Sequence, residues 1–383
     1  MTIHRTPDAA SELAQNVARP FAEARAMPRS VYMSEEFVAR ELAEIFAKEW
    51  VCVGRSTQFA QAGDYVTAEI AGQPVMVIRD ADGVLRAQSN VCLHRMSTLL
   101  PGTGNVRSVV CPYHAWTYNL NGTLRGAPGM GLNKGFDRHE YCLPQLKCAE
   151  WLGWVLVSLN ADAPDPEIHL KEAADLIAPY GMEHYVQTFQ EHHHWNTNWK
   201  VLAENFMESY HLPVCHAGTI GGFVKLEEMD CPPSGATYNY HSILKDPNAP
   251  LTNAHPGNTT LTGDMRRTTV LLTVYPALMI TLTPGYFWYL SLHPDGPGRV
   301  KIIFGGGLSP DYVNDTKAQE HFAALKDLLD RVNEEDRGCT EKVYKGLCSS
   351  LARPGHLSHL ERPNFDFATY INNRIQATAR VGA

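Results

Sequence analysis

The alternation of apolar and polar residues divides the chain into zones of different period. From Ser34, a capping residue followed by Glu35 and Glu36, the apolar residues Val38, Leu42, Ile45 and Phe46 fall on one face and predict a helix ending near Trp50. Residues 1–30 show no such period and read as an arm or partly ordered leader. Between Val51 and Asn160 the period changes to short apolar runs such as Pro74-Val75-Met76-Val77-Ile78 and Gly153-Trp154-Val155-Leu156-Val157. Turn signals at Asp82-Gly83, Asn121-Gly122 and Pro128-Gly129 punctuate them, which predicts a compact β domain. Asn160 to Pro166 has the composition of a linker, and a helix from His169 to Ile177 is expected after it. Strands are expected at 268–273 and 286–292, and helices at 199–211 and 317–348. Strands followed by a long final helix predict an α+β domain with the helix packed across an antiparallel sheet. The expected division is therefore 1–49, an arm and helix; 50–160, the β domain; and 161–383, the α+β domain.

Composition narrows the function classes. The chain has 383 residues, long enough for two cores, and 33 basic against 41 acidic residues give a formal charge of −8. No run of Lys or Arg forms a phosphate-binding stripe, so nucleic acid is not an expected partner. Met1 to Glu12 lacks the apolar core of a signal peptide, and the most apolar stretch, Thr269 to Leu282, is interrupted by Thr273 and Pro276; no membrane association and a cytoplasmic location are expected. Nine cysteines scattered over this length do not form a secreted disulfide framework. A few are expected to bind metal and most to be buried thiols.

Two Cys-His couples carry the first chemistry: Cys92-Leu93-His94 and Cys111-Pro112-Tyr113-His114. Each couple offers a thiolate and an imidazole from a single loop. Two thiolates on one iron and two imidazoles on the other make the Rieske [2Fe–2S] arrangement, in which His replaces Cys and raises the reduction potential. A Cys2His2 zinc site is the competing reading, but zinc spacing keeps two Cys together and two His together. Gly102, Gly104 and Pro112 shape the loops, and Tyr113 and Trp116 are placed to shield the sulfurs.

A second constellation runs from Asn198-Trp199-Lys200 through Glu204-Asn205-Phe206 to His211, Pro213 and His216. Trp199, Leu202, Phe206 and Tyr210 recur at helical intervals, with Glu204, Glu208 and His211 on another face, and Pro213 is expected to end the helix. Two imidazoles and one carboxylate with open positions form the facial triad of non-haem Fe(II) oxygenases, so a third ligand is required. On the last long helix Asp336 falls on the apolar stripe between Val332 and Cys339, while Asp327, Asp330, Glu334 and Glu341 point elsewhere and Glu335 lies at its margin. A core-facing acid needs a cation or strong donors, and iron held by His211 and His216 supplies one. His192-His193-His194 cannot converge on one ion from a strand, whose successive side chains face opposite ways. Tyr238, Tyr240, Tyr275, Tyr286, Phe287, Trp288 and Tyr289 are enough to build a cation–π cage, although core packing is their commoner fate. Glu227, Glu228 and Asp230 form an acidic run that attracts a cation or lies solvated.

With both constellations in view, the chain resembles the α subunit of the Rieske non-haem iron ring-hydroxylating oxygenase family, from about Trp50 to its C-terminus. The resemblance implies a Rieske β domain, a helix-grip catalytic domain whose long helix bears Asp336, and a ring of three α subunits. In such a ring the cluster of one subunit faces the mononuclear iron of its neighbour, bridged by a carboxylate near the first His; Glu208 holds that position here. Dihydroxylating members usually have Asp there in a motif one residue longer. Glu in the shorter motif resembles the branch acting on quaternary ammonium compounds such as carnitine and betaines.

The reading that follows is a terminal oxygenase. A separate flavin or iron–sulfur reductase, or a ferredoxin, passes electrons from NAD(P)H to the cluster at Cys92, His94, Cys111 and His114; Glu208 couples it to Fe(II) at His211, His216 and Asp336, with Asn205 tuning the iron. Oxygen from O2 then enters a small organic substrate, by hydroxylation or oxidative demethylation of a quaternary ammonium or N-methyl compound first, with hydroxylation or dihydroxylation of an aromatic acid as the alternative. The rival classes are a Rieske electron carrier fused to a ligand-binding domain and a hydrophobic-ligand binder with structural histidines. The sequence does not distinguish mono- from dioxygenation, identify the reductase, or show whether a β subunit is present.

Overall fold

The computed structural model describes residues 8–248 and 253–379. They form two compact units: one runs Phe46–Glu167, and the other joins the described residues up to Ile45 to those from Ile168 onward.

In the first unit alternating and apolar runs fold as antiparallel strands: β1 (Val51–Arg55), β2 (Asp64–Ile70), β3 (Gln73–Arg79), β4 (Leu85–Ser89), β5 (Thr103–Asn105), β6 (Val109–Val110), β7 (Thr117–Tyr118), β8 (Leu124–Gly126), β9 (Gln145–Trp151) and β10 (Trp154–Ser158). Seven of them make a sheet in the order β1-β10-β9-β4-β3-β2-β5, and β6-β7-β8 make a small second sheet. β1 and β10 are buried along their whole length, which explains their unbroken apolar runs. Met76, Ile78, Val109, Tyr118, Leu124 and Leu143 pack around Cys92 and Cys111 in one core cluster.

The second unit holds β11 (Val186–Trp195), β12 (Met229–Asp230), β13 (Tyr238–Leu244), β14 (Thr268–Val274), β15 (Leu278–Leu282), β16 (Tyr286–Pro294) and β17 (Val300–Leu308). They form an antiparallel sheet in the order β11-β17-β16-β15-β14-β13-β12. Glycines at one end of β17 permit close strand approach. A Cβ on Gly307 would stand 1.9 Å from the Val186 carbonyl oxygen, and one on Gly305 would meet the Tyr289 ring at 2.5 Å. The 30-residue helix Ala318–Leu347 turns Leu325, Leu329, Val332, Asp336 and Thr340 inward, so this unit has the expected α+β character. That helix is not the last. Helix Arg362–Ala379 follows it and packs against the N-terminal segment, where Arg40 donates to the Ile375 carbonyl at 3.1 Å and Phe21 lies 5.6 Å from Phe365.

The N-terminal residues also depart from expectation. Residues 1–7 lie outside the described residues, but Ala9–Val17 is a helix capped by Asp8, whose side chain accepts from Ser11 N at 2.7 Å. Its buried stripe is only Ala10, Leu13 and Asn16, too thin for periodicity to reveal. The helix at Ser34 forms as predicted over Glu35–Glu41 and continues as a wider π turn, Leu42–Phe46. The N-terminal segment is joined to helix Trp199–Phe206 by a buried ion pair. Lys200 Nζ lies 2.8 Å from Glu41 Oε1, and Trp199 Nε1 donates to Glu41 Oε2 at 3.0 Å. Asn198 caps this helix through Lys200 N and donates to the carbonyls of Tyr32 and Pro297 at 2.9 and 2.8 Å. Asn198-Trp199-Lys200 is thus an anchoring motif.

Candidate functional site

In the first unit the two Cys-His couples occupy a pair of matching turns. Cys92 N donates to Ser97 O and Met96 N donates back to Cys92 O; Cys111 N donates to Trp116 O and Ala115 N to Cys111 O. Met96 and Ala115 close these turns at φ 52 and 56. The turns leave both thiols buried and set the imidazoles side by side, His94 Nδ1 lying 3.2 Å from His114 Nδ1. Trp116, 2 % exposed, stacks on His94 at 4.9 Å and so covers the pair from the core side. Tyr113 instead lies 54 % exposed with its ring 3.8 Å from that of His114, covering an imidazole rather than a sulfur.

Donors surround the sulfurs. Burial raises the Cys111 thiol, but the N–H groups of Tyr113 and His114 outweigh it and hold it below the ordinary thiol range. Tyr118, which periodicity did not single out, places its hydroxyl 3.4 Å from Cys92 Sγ and accepts from Leu93 N at 3.0 Å. Two buried thiols with polar hydrogens close by, beside two rim imidazoles, fit a [2Fe–2S] group with mixed ligands. The expectation that most other cysteines are buried is corrected: Cys142 and Cys348 are exposed, and Cys148, Cys215, Cys231 and Cys339 are half-buried. Among these, the Cys215 and Cys339 thiols meet at 2.8 Å, and burial pushes Cys215 up to about 12, away from a ligand thiolate.

In the second unit the local fold around the histidines differs from the predicted single helix. Helix Trp199–Phe206 stops five residues before His211, and Tyr210 is half exposed. A short helix, Leu212–Cys215, then begins, with His211 at its N-cap and His216 at its C-cap. Pro213 opens this helix rather than ending the earlier one, since a proline in a first turn forfeits no helical hydrogen bond. One short turn therefore presents both imidazoles, their ring centroids 5.2 Å apart.

Asp336 arrives from the long helix. Its Oδ1 lies 3.0 Å from His216 Nε2 and 3.5 Å from His211 Nε2, and one ligand atom from each of the three falls within 4.8 Å of the others. Asn205 Nδ2 donates to Asp336 Oδ1 at 2.7 Å. The outer nitrogens of the histidines are held by acids: His211 Nδ1 by Glu208 Oε1 at 2.7 Å, and His216 Nδ1 by Glu335 Oε2 at 2.8 Å. Glu335, placed only at the margin of the stripe by sequence, also accepts from Thr219 Oγ1 at 2.6 Å. Its helix position beside Asp336 was the available signal.

The electrostatics favour positive charge at this point. Burial raises Asp336, but hydrogen bonds with His211 and His216 outweigh it and hold the carboxyl at about 2. Burial lowers His211, yet Asp336 and Glu208 drive it up to about 10. Two imidazoles whose far nitrogens meet carboxylates, with a third carboxylate between them, fit a divalent metal ion of the two-His-one-carboxylate kind.

The pocket containing these residues is walled by Phe206, Leu212, Ile220, Phe223, Leu329 and Val332. Of the seven aromatic residues proposed for a cage, Tyr286 and Trp288 line it, with Phe206 edge-on to Trp288 at 5.6 Å. Phe287 and Tyr289 are fully buried on the alternate positions of β16, and Tyr275 stacks on Tyr370 at 4.2 Å. Glu227, Glu228 and Asp230 are not among the lining residues. His192, His193 and His194 lie on β11, alternately exposed and half-buried.

A β domain with paired Cys-His turns, together with a sheet-and-helix domain bearing two histidines and an aspartate, is the architecture of Rieske non-haem iron oxygenases. Residues 182–377 match the ring hydroxylating alpha subunit (catalytic domain) and residues 49–137 the Rieske [2Fe-2S] domain. The chain belongs to the ring hydroxylating alpha subunit family.

The carnitine monooxygenase oxygenase subunit of Acinetobacter baumannii is 35% identical over 199 residues, covering 50% of this chain and 52% of the relative. The chloroplastic choline monooxygenase of Beta vulgaris is 28% identical over 367 residues, covering 93% and 78%. The chain spans about half the length of the carnitine monooxygenase relatives it matches. The crystal structure of a quaternary ammonium Rieske monooxygenase in complex with L-carnitine shares the fold at TM-score 0.79 and 23% identity, covering 98% of this chain and 99% of that one. Naphthalene 1,2-dioxygenase from Rhodococcus sp. bound to indole shares it at TM-score 0.80 and 19% identity, covering 96% and 98%. Among the described residues, no helix is long and apolar enough to cross a membrane.

Proposed function

We propose that the chain is the terminal oxygenase of a multicomponent system that hydroxylates or oxidatively demethylates a quaternary ammonium or N-methyl compound. The observation carrying this reading is the convergence of His211, His216 and Asp336 within 4.8 Å at a pocket walled by Trp288, Tyr286, Phe206 and Phe223. Aromatic faces attract a quaternary ammonium group through cation–π contact. The names of the carnitine, glycine betaine and choline relatives support that substrate class.

In this reading Cys92, Cys111, His94 and His114 hold the [2Fe–2S] cluster, and His211, His216 and Asp336 hold Fe(II). Together these centres supply single electrons and O2 activation. The chain's own residues set the conditions. Glu208 and Glu335 fix the ring orientation and tautomer of the two histidines, turning each Nε2 toward Asp336, where a metal ion would be held. Asn205 holds Asp336 by one oxygen. Glu208, 9 % exposed, also accepts from His211 N at 3.1 Å, and this pinned carboxylate is the proposed link to the cluster of a neighbouring subunit in a homotrimer. A separate reductase or ferredoxin delivers electrons from NAD(P)H.

The test is oxygen uptake and NAD(P)H oxidation by the purified protein with a broad-specificity reductase, screened against L-carnitine, glycine betaine, choline and benzoate. Uptake coupled to loss of one of the ammonium compounds is expected. Uptake confined to benzoate would replace the substrate class, and electron acceptance without uptake would reduce the protein to a carrier.

A further inference from the structure

The sheet's share of the pocket carries three polar side chains amid apolar neighbours. Strand register puts them on one face: Ile243 pairs with Thr269 and Leu271 with Thr281, while Lys245 extends the edge of β13, its N–H donating to the Arg267 carbonyl at 3.0 Å. Paired residues of antiparallel strands share a face and alternate residues return to it. Lys245, Thr269 and Thr281 therefore lie along a diagonal of that face, separated by Ile243 and Leu271, and all five line the pocket.

These polar groups are enclosed without protein partners. Lys245 is 9 % exposed, Thr269 3 % and Thr281 4 %. The hydroxyl oxygens of both threonines have no hydrogen-bond partner. Among the described residues, no hydrogen bond or ion pair reaches Lys245 Nζ. Glu228, the acid whose field acts on Lys245, is engaged by Lys225 at 3.5 Å. A buried ammonium is costly unless an anion compensates it, and the Thr269 hydroxyl, one diagonal step away on the adjacent strand, adds a hydrogen bond that a carboxylate accepts. Burial lowers Lys245 to about 8, so the enclosure leaves it short of negative charge.

We propose that Lys245, with Thr269, binds a carboxylate of the substrate, so that the pocket selects acids and zwitterions over simple cations. This rests on the proposed oxygenase reading for its purpose. Asp336, Glu208 and Glu335 gather negative charge at the histidine end, and Lys245 supplies positive charge at the sheet. A betaine is complementary to both, its ammonium toward the aromatic walls and its carboxylate on Lys245. Choline, with a hydroxyl in place of the carboxylate, leaves the lysine unpaired.

The experiment is calorimetric binding to the iron-loaded protein under anaerobic conditions, with no reductase, using L-carnitine against its methyl ester and benzoate against benzamide. In the unaltered protein at least one acid binds about tenfold or more tightly than the ester or amide that lacks its carboxylate. Lys245→Met abolishes that preference, Lys245→Arg keeps most of it, and Thr269→Val weakens it, with metal content and cluster absorbance retained in all three. Equal binding of the acids and of their ester and amide, no binding of either acid, or an undiminished preference in Lys245→Met would overturn the proposal. Should Lys245→Met fail to fold, the Thr269→Val comparison decides by the same criterion. Oxygen uptake is read separately, so the oxygenase reading can fail while the carboxylate preference survives.

Discussion

Asn205 and Asp336, 131 positions apart, are joined by a 2.7 Å hydrogen bond from the amide Nδ2 to the carboxylate Oδ1 that also faces both histidines. The bond fixes which way the carboxylate turns. Asn205→Ala frees it to rotate, and the expected result is a loss of about 10–100-fold in affinity for the mononuclear iron, read by competition with a chelator, while the cluster spectrum is unchanged. Unaltered iron affinity would show that the helix alone positions Asp336.

Glu335 makes the matching contact to His216 Nδ1. Glu335→Ala removes the acceptor that sets the ring's tautomer, and a similar loss of about 10–100-fold is expected. Glu334→Ala, one residue away on an exposed part of the helix, serves as the control and retains full affinity.

The anchoring pair predicts a stability cycle. Lys200 and Glu41 are both fully buried, and Lys200→Met leaves an uncompensated carboxylate beside Trp199. Urea unfolding should show a loss of about 3–5 kcal/mol. Adding Glu41→Gln recovers most of it, because the neutral amide still accepts from Trp199 Nε1. A double variant as unstable as the single one would locate the loss in packing instead.

Stability should also depend on pH through Glu204. Burial raises its carboxyl to about 7, against donation from the Tyr32 hydroxyl at 2.6 Å and the charge of Lys200, which lower it. The folded chain thus keeps a proton that the unfolded chain releases between the ordinary value of 4.5 and about 7. The stabilisation is complete below 4.5 and is lost as the pH rises through 7. Glu204→Gln, neutral throughout, should show a flatter fall in unfolding free energy over that window; identical slopes would mean that Glu204 ionises normally.

The residues that sequence revealed best were those whose chemistry is costly without a purpose. Asp336 was legible because an acid on an apolar stripe needs a partner, and the Cys-His couples because four donors in two short loops seldom coincide. The strand pattern was legible where strands are buried on one or both faces. Pro213 misled because proline ends a helix and begins one equally well, and only tertiary contacts decide. Helix Ala9–Val17 was hidden by its narrow buried face, and Lys245 by strand register: nothing in its neighbourhood along the chain records that Thr269 and Thr281 share its side of the sheet.

The central claim is that one chain holds two kinds of iron site, and metal analysis with visible and electron paramagnetic spectra of Asp336→Ala beside the unaltered protein tests it most directly. The unaltered protein should bind about three irons per chain with a Rieske spectrum; the variant should keep the spectrum and the cluster's pair and lose the third. A colourless protein, a site filled only by zinc, or a variant that retains every iron would contradict it.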